Sequence, residues 1–132
     1  MRRRKGFTLI ELMIVMVIIA ILLSLLLPGV LKGRDKAVKV KCQNNLRQCG
    51  IALYAYAGDY DGALPAPGGW ATALTNNGYL DTNKVTRCPK NPVTFYPAKW
   101  SSGANLYTMS TSVVLLNCPT HNIDVYADGR VE

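Results

Sequence analysis

Apolar and polar positions divide the chain into three regimes. Residues 1–6 are basic and polar, Phe7 to Leu31 is apolar almost throughout, and from residue 32 the two kinds of residue alternate. Leu12 to Leu31 carries no charge, and about 20 helical residues at roughly 1.5 Å each match the roughly 30 Å of a hydrocarbon core. The pattern predicts a membrane-spanning helix over 7–31. Beyond it, Val38, Cys42, Leu46, Cys49, Leu53 and Tyr56 recur at spacings of four, four, three, four and three. That period extends the helix over 32–57, with one face packed on a head. Gly58-Asp59-Tyr60-Asp61-Gly62-Ala63-Leu64-Pro65 then ends it, glycine being available for the C-terminal cap and proline blocking resumption. Trp70 to Leu80 predicts one short helix stopped near Gly78, and strands are predicted at Leu106 to Met109, Ser112 to Leu116 and Ile123 to Tyr126. Asp128-Gly129 reads as a tight hairpin turn. The expected fold is α+β: a long N-terminal helix on a small antiparallel sheet, the β-rich head occupying 58–132.

Charge gives the span its direction and its anomaly. Arg2, Arg3, Arg4 and Lys5 hold the N-terminus on the cytoplasmic side, so the head faces outward. No A-x-A-like cleavage pattern follows Leu27 before the basic stretch Lys32 to Lys41, and the segment is read as retained. Glu11 lies inside the apolar block, where a carboxylate costs a few kcal/mol and asks for a partner; the alternative is an interfacial acid near a helix end. Pro28, next to Gly29, predicts a kink or local melting, the alternative being a simple end of the span. Lys32, Arg34, Lys36, Lys39, Lys41 and Arg47 form a basic stripe that reads as a solvated face, with anionic lipid or nucleic acid as the other reading.

Lys5-Gly6-Phe7-Thr8-Leu9-Ile10-Glu11-Leu12 resembles the processing site of type IV prepilins and type II secretion pseudopilins. The resemblance implies that a prepilin peptidase removes residues 1–6 as a leader, cutting between Gly6 and Phe7, and methylates the new amine of Phe7. It implies that Glu11 meets the Phe7 amine of a neighbouring copy as helices 7–31 pack into a filament, so that Glu11, Phe7 and Pro28 serve assembly. An assembly platform protein and its ATPase, the inner-membrane lipid and further copies of the chain are the implied partners. The subunit crosses the bacterial inner membrane once before assembly and lies in a periplasmic or extracellular filament afterwards. A pseudopilus of a type II secretion system is the first expectation, and a surface pilus for adhesion, motility or DNA uptake the second. Cys42-Gln43-Asn44-Asn45-Leu46-Arg47-Gln48, Arg87-Cys88-Pro89 and Cys118-Pro119-Thr120-His121 look like the head pattern of the same group. A non-polymerising membrane-anchored binding module is the remaining class, and it has no use for Glu11.

Four of the 15 basic residues lie in the leader, leaving 11 against eight acidic ones, a net +3. That is too mild for a dedicated nucleic-acid protein, and no specific nucleic acid is expected. The head lacks a nucleophile motif, a phosphate-binding glycine loop and a second histidine, so no enzyme and no cofactor are expected. Asp59 and Asp61 in D-x-D-G are a fragment of a calcium loop without the later bidentate glutamate; with Asp124 and Asp128 they are the calcium candidates, against the reading as polar turns. Cys42, Cys49, Cys88 and Cys118 all fall on the outward side, where disulfides form. Cys42 and Cys49 are about 10 Å apart along a helix, beyond the roughly 7 Å limit for bridged alpha carbons. Each is therefore expected to reach Cys88 or Cys118, in either order. A zinc reading is set aside here, with His121 taken as a surface loop residue.

Overall fold

The computed structural model describes residues 6–81 and 84–132; the leader residues Arg2 to Lys5 lie outside them. Contacts divide the chain into two units, residues 1–37 and 38–132, and each is described by itself. Helix α1, Leu9–Asp59, is 51 residues long. In the first unit its apolar side chains are exposed on every side, from Phe7 to Val30. A helix apolar all round has no face to offer water, and it is stable in lipid or among helices of its own kind. This one is long and apolar enough to cross a membrane.

Pro28 sits inside the helix without interrupting it. The expected local melting is therefore absent, and the alternative in which Pro28-Gly29 ends the helix is overturned. Proline removes one donor only, the one that would have reached the Ser24 carbonyl, and the turns on either side keep theirs. The Ser24 hydroxyl donates to the Ile21 carbonyl at 2.7 Å.

In the second unit the predicted face of α1 is the floor of the core. Cys42, Leu46, Cys49 and Leu53 are all fully buried, whereas Lys39, Lys41 and Arg47 are exposed. The helix ends two residues later than its spacing suggests, at Asp59. The Gly62 N–H closes it by reaching back to the Ala57 carbonyl at 2.7 Å, and Asp61 takes the left-handed conformation, with φ 52°. The capping residue is thus an aspartate, with Gly62 (φ 84°) following. Helix α2, Trp70–Asn76, buries Trp70, Ala71 and Leu74, and the chain turns at Gly78 as expected (φ 78°).

Two separate two-stranded antiparallel pairs follow where one small sheet was expected. Strand β1 (Arg87–Cys88) pairs with β2 (Asn91–Phe95), and β3 (Val114–Cys118) with β4 (Ile123–Tyr126). Single bridges at Ala98–Leu116 and Val125–Val131 extend the second pair on both sides. The Asp128-Gly129 turn forms as predicted: Asp124 and Glu132 exchange backbone hydrogen bonds of 2.7 and 3.1 Å across it. Leu106 to Met109, predicted as a strand, is instead a 3-10 turn, Leu106–Thr108. Its branched and aromatic content favours a strand, but the Asn105 carboxamide accepts from the Tyr107 N–H at 2.9 Å and donates to the Asp61 carbonyl at 2.8 Å. That side chain caps one turn and ties it to the end of α1, leaving no ladder partner to recruit. The core then closes with Tyr96, Trp100, Leu115, Leu116, Ile123 and Val125 over α1 and α2. Both indoles are satisfied there, Trp70 by the Tyr96 carbonyl at 3.2 Å and Trp100 by the Pro65 carbonyl at 2.8 Å.

Gly62 tests the junction. A Cβ there meets Tyr107 Cδ2 at 2.6 Å on a backbone already at positive φ, so Gly62→Ala lowers stability by about 1–3 kcal/mol. Gly58→Ala, with open space around it, is neutral or gains up to about 1 kcal/mol. Equal melting temperatures for the two variants by circular dichroism would contradict this packing. Asn105→Ala, which abandons both of its backbone partners, costs about 1–2 kcal/mol; hydrogen exchange localises the loss to residues 61–62 and 106–108.

Candidate functional site

Two groups of residues carry chemistry, one at the start of α1 and one in the head. Gly6, Phe7 and Thr8 are exposed and precede the helix. The Gly6–Phe7 peptide bond is therefore non-helical, the state in which a peptidase takes a chain into its cleft. Thr8 then caps the helix. The Glu11 N–H donates to the Thr8 hydroxyl at 3.3 Å, and Glu11 Oε2 accepts from the Thr8 N–H at 2.9 Å and from its hydroxyl at 2.8 Å. This is a reciprocal capping box, T-x-x-E. It gives Glu11 a partner inside its own chain, which the sequence reading missed, although the three-residue spacing from Thr8 was there to show it.

In the head, Cys42 of α1, Cys88 at the end of β1, Cys118 at the end of β3 and His121 in the β3–β4 turn converge. Their ligand-capable atoms all lie within 4.8 Å of one another. His121 Nδ1 is 3.4 Å from Cys88 Sγ and 3.5 Å from Cys118 Sγ, and the Tyr96 hydroxyl lies 3.3 Å from Cys42 Sγ. All four cysteines are free and buried. Cys49 stands outside the cluster and donates to the Val85 carbonyl at 3.4 Å, with burial pushing its thiol up to about 12. The structure therefore differs from two disulfides in which Cys42 and Cys49 each take one head cysteine. One turn of helix brings Cys42 to the head cysteines while Cys49, two turns further on, faces the Val85 backbone. His121 is half-buried beside thiols and is not the surface loop residue expected. The signal was a histidine three residues after Cys118, a spacing at which one turn presents two ligands.

Both head cysteines open a turn with Cys-Pro, and the His121 N–H closes the second by donating to the Cys118 carbonyl at 3.2 Å. Burial raises Cys88, but the Asn91 and Lys90 N–H groups outweigh it and draw the thiol below its ordinary value. Burial raises both Cys118 and Cys42.

The calcium candidates are not brought together. Asp59 accepts from the Tyr79 hydroxyl at 2.5 Å, a bond that pushes Tyr79 up to about 12. Asp61 is the αL residue at the end of α1. Asp124 accepts from the Asn117 carboxamide at 2.5 Å. Asp128 pairs with Arg130 at 2.6 Å, and the Arg130 N–H and guanidinium hold its carboxyl below the usual range. Each acid has a turn or strand to hold.

Comparison with known proteins agrees with the N-terminal geometry and extends beyond it. The family described as the prokaryotic N-terminal methylation motif matches residues 1–27. The chain is 35% identical over 85 residues to the ComG operon protein 3 homolog of Bacillus licheniformis, a span covering 64% of this chain and 81% of that protein. It is 32% identical over 99 residues to the type II secretion system core protein G of Aeromonas hydrophila, covering 69% of this chain and 68% of that protein. No solved structure matches. Both alignments are longer than the 51-residue helix, so the likeness is not one of hydrophobic composition alone. A capped apolar helix behind a methylation motif, with a likeness to both relatives that is longer than the helix, makes this chain a member of the type IV pilin and pseudopilin family, a structural filament subunit and not an enzyme.

Proposed function

We propose that the chain is a pseudopilin of a type II secretion system, cut between Gly6 and Phe7, methylated at Phe7 and built into a filament through α1. The observation that supports it is the apolar surface from Phe7 to Val30, exposed on every side, together with the 32% identity to a secretion core protein that continues into the head. Lipid covers that surface in the single subunit, and neighbouring α1 helices cover it in the filament. Because both surroundings are apolar, extraction by a platform protein and its ATPase changes the hydrophobic free energy little. What changes is Glu11. In the filament its carboxylate meets the Phe7 amine of a neighbour, which fixes the stagger between copies, since a charge in an apolar setting is tolerated only when paired. The head would then lie on the periplasmic or extracellular side.

A second reading, a pilus at the cell surface, stands beside it, since the 35% identity covering 81% of the ComG operon protein 3 homolog does not tie the chain to secretion. The two readings differ in what a cell loses with the gene. In the secretion reading, deletion stops export of secreted proteins and leaves surface filaments intact. In the pilus reading the reverse holds.

Processing and register are tested together in material sheared from cells. The wild-type chain is expected to lack Met1 to Gly6, to carry one extra methyl group in its intact mass, and to be found in filaments. Glu11→Ala is expected to be processed in the same way but to yield no filaments. Filaments of normal abundance from Glu11→Ala would remove Glu11 from assembly, and an uncut chain in the membrane of both strains would favour an anchored module that does not polymerise.

A further inference from the structure

Cys42, Cys88, Cys118 and His121 come from three places far apart in sequence, the middle of α1 and the tips of the two hairpins, and their ligand atoms share one small volume. We propose that these three thiolates and one imidazole form a structural zinc centre that fastens both hairpins of the head to α1.

The shape of the cluster fits the metal. A tetrahedral zinc with Zn–S of about 2.3 Å and Zn–N of about 2.0–2.1 Å has N···S edges of roughly 3.5 Å. The His121 Nδ1 contacts to Cys88 and Cys118 are 3.4 and 3.5 Å, and the widest separation in the set, within 4.8 Å, needs only a small contraction. Parity points the same way. Three thiols and an imidazole complete one four-coordinate site, whereas any single disulfide among three cysteines strands the third thiol and the imidazole in the same buried space. Cys49 cannot supply the missing partner, because it faces the Val85 carbonyl.

The buried Tyr96 hydroxyl lies 3.3 Å from Cys42 Sγ, within reach of a thiolate, the form in which cysteine binds metal. A disulfide sulfur carries no such charge. Outer partners of this kind orient the ligands of a metal site. The head also has use for a tie. At about 75 residues after the helix it is near the size at which a hydrophobic core requires a metal or covalent link, and its cysteines are free thiols. Soft thiolate ligands in tetrahedral array select zinc over calcium or magnesium, which separates this site from the scattered aspartates.

The test uses the full-length processed chain isolated in detergent from its own membranes. Elemental analysis is expected to find about one zinc per chain. Replacement with Co2+ is expected to give the thiolate-to-cobalt charge-transfer band and the visible bands of a tetrahedral site. Cys49→Ser keeps both signals, Cys118→Ser and His121→Ala lose them, and His121→Cys restores the metal in a site of four thiolates. The restoring variant separates ligand loss from failure to fold. A metal-free chain that does not take up Co2+ overturns the proposal, whether its intact mass is short by two hydrogens, as a disulfide requires, or all four thiols are recovered by alkylation after unfolding. Loss of metal from Cys49→Ser as well as from His121→Ala overturns the ligand assignment. None of these outcomes depends on whether the filament belongs to a secretion system or a pilus.

Discussion

One helix has to satisfy two solvents. Over its first half α1 meets only apolar surroundings, and over its second half it is the floor of a water-soluble core, so its side chains change from uniformly apolar to one-sided within a single run of backbone hydrogen bonds. Everything else answers to that change. The head can be small because α1 supplies a third wall of its core through Cys42, Leu46, Cys49 and Leu53. The basic residues Lys39, Lys41 and Arg47 on the opposite side of the same turns are exposed. Family membership adds a reason for keeping the first half free of any face: a subunit that must trade lipid for many neighbours cannot be specialised for one.

The parts of this arrangement that were legible in the sequence are those set by period and by turn chemistry. Four-four-three spacing placed the buried face of α1 residue by residue, and Asp128-Gly129 placed the last turn, because both signals are local. Leu106 to Met109 was misread because its strand-like composition competes with a single distant contact, Asn105 to the Asp61 carbonyl. No window on the sequence contains both ends of that contact. Pro28 was read as a kink or a local melting, and the helix runs through it. A lone proline costs one hydrogen bond, and a helix of 51 residues has turns enough on each side to carry through.

The head cluster was half legible. The number and outward placement of the cysteines were visible, and so was the impossibility of joining Cys42 to Cys49. Which cysteine of α1 faces the hairpin tips depends on the rotation of the helix against the sheet pairs, which is a tertiary quantity. His121 was passed over because it is alone, yet it stands three residues after Cys118 and within reach of both head thiols. Glu11 shows the opposite case. Its oddity was plain, but its local partner, Thr8, looked like one more polar residue in a motif valued for other reasons.

The Thr8–Glu11 cap has an electrostatic consequence. A helix start behaves as about half a positive charge, and so long as residue 6 is joined to residue 7 by an amide, the full cations of the chain's start stay on Arg2 to Lys5 while Glu11 answers the partial charge and the Thr8 donors. Cleavage before Phe7 would place a full cation one residue from the cap, at the end of the dipole least able to accept it. The same cut would thus remove four cations held outside the apolar run and set one at its mouth, where a second carboxylate, carried by another molecule, becomes the nearest relief. Proteolysis in this chain would act as a relocation of charge, leaving a helix whose new cation is unsettled until it stands beside its own copy.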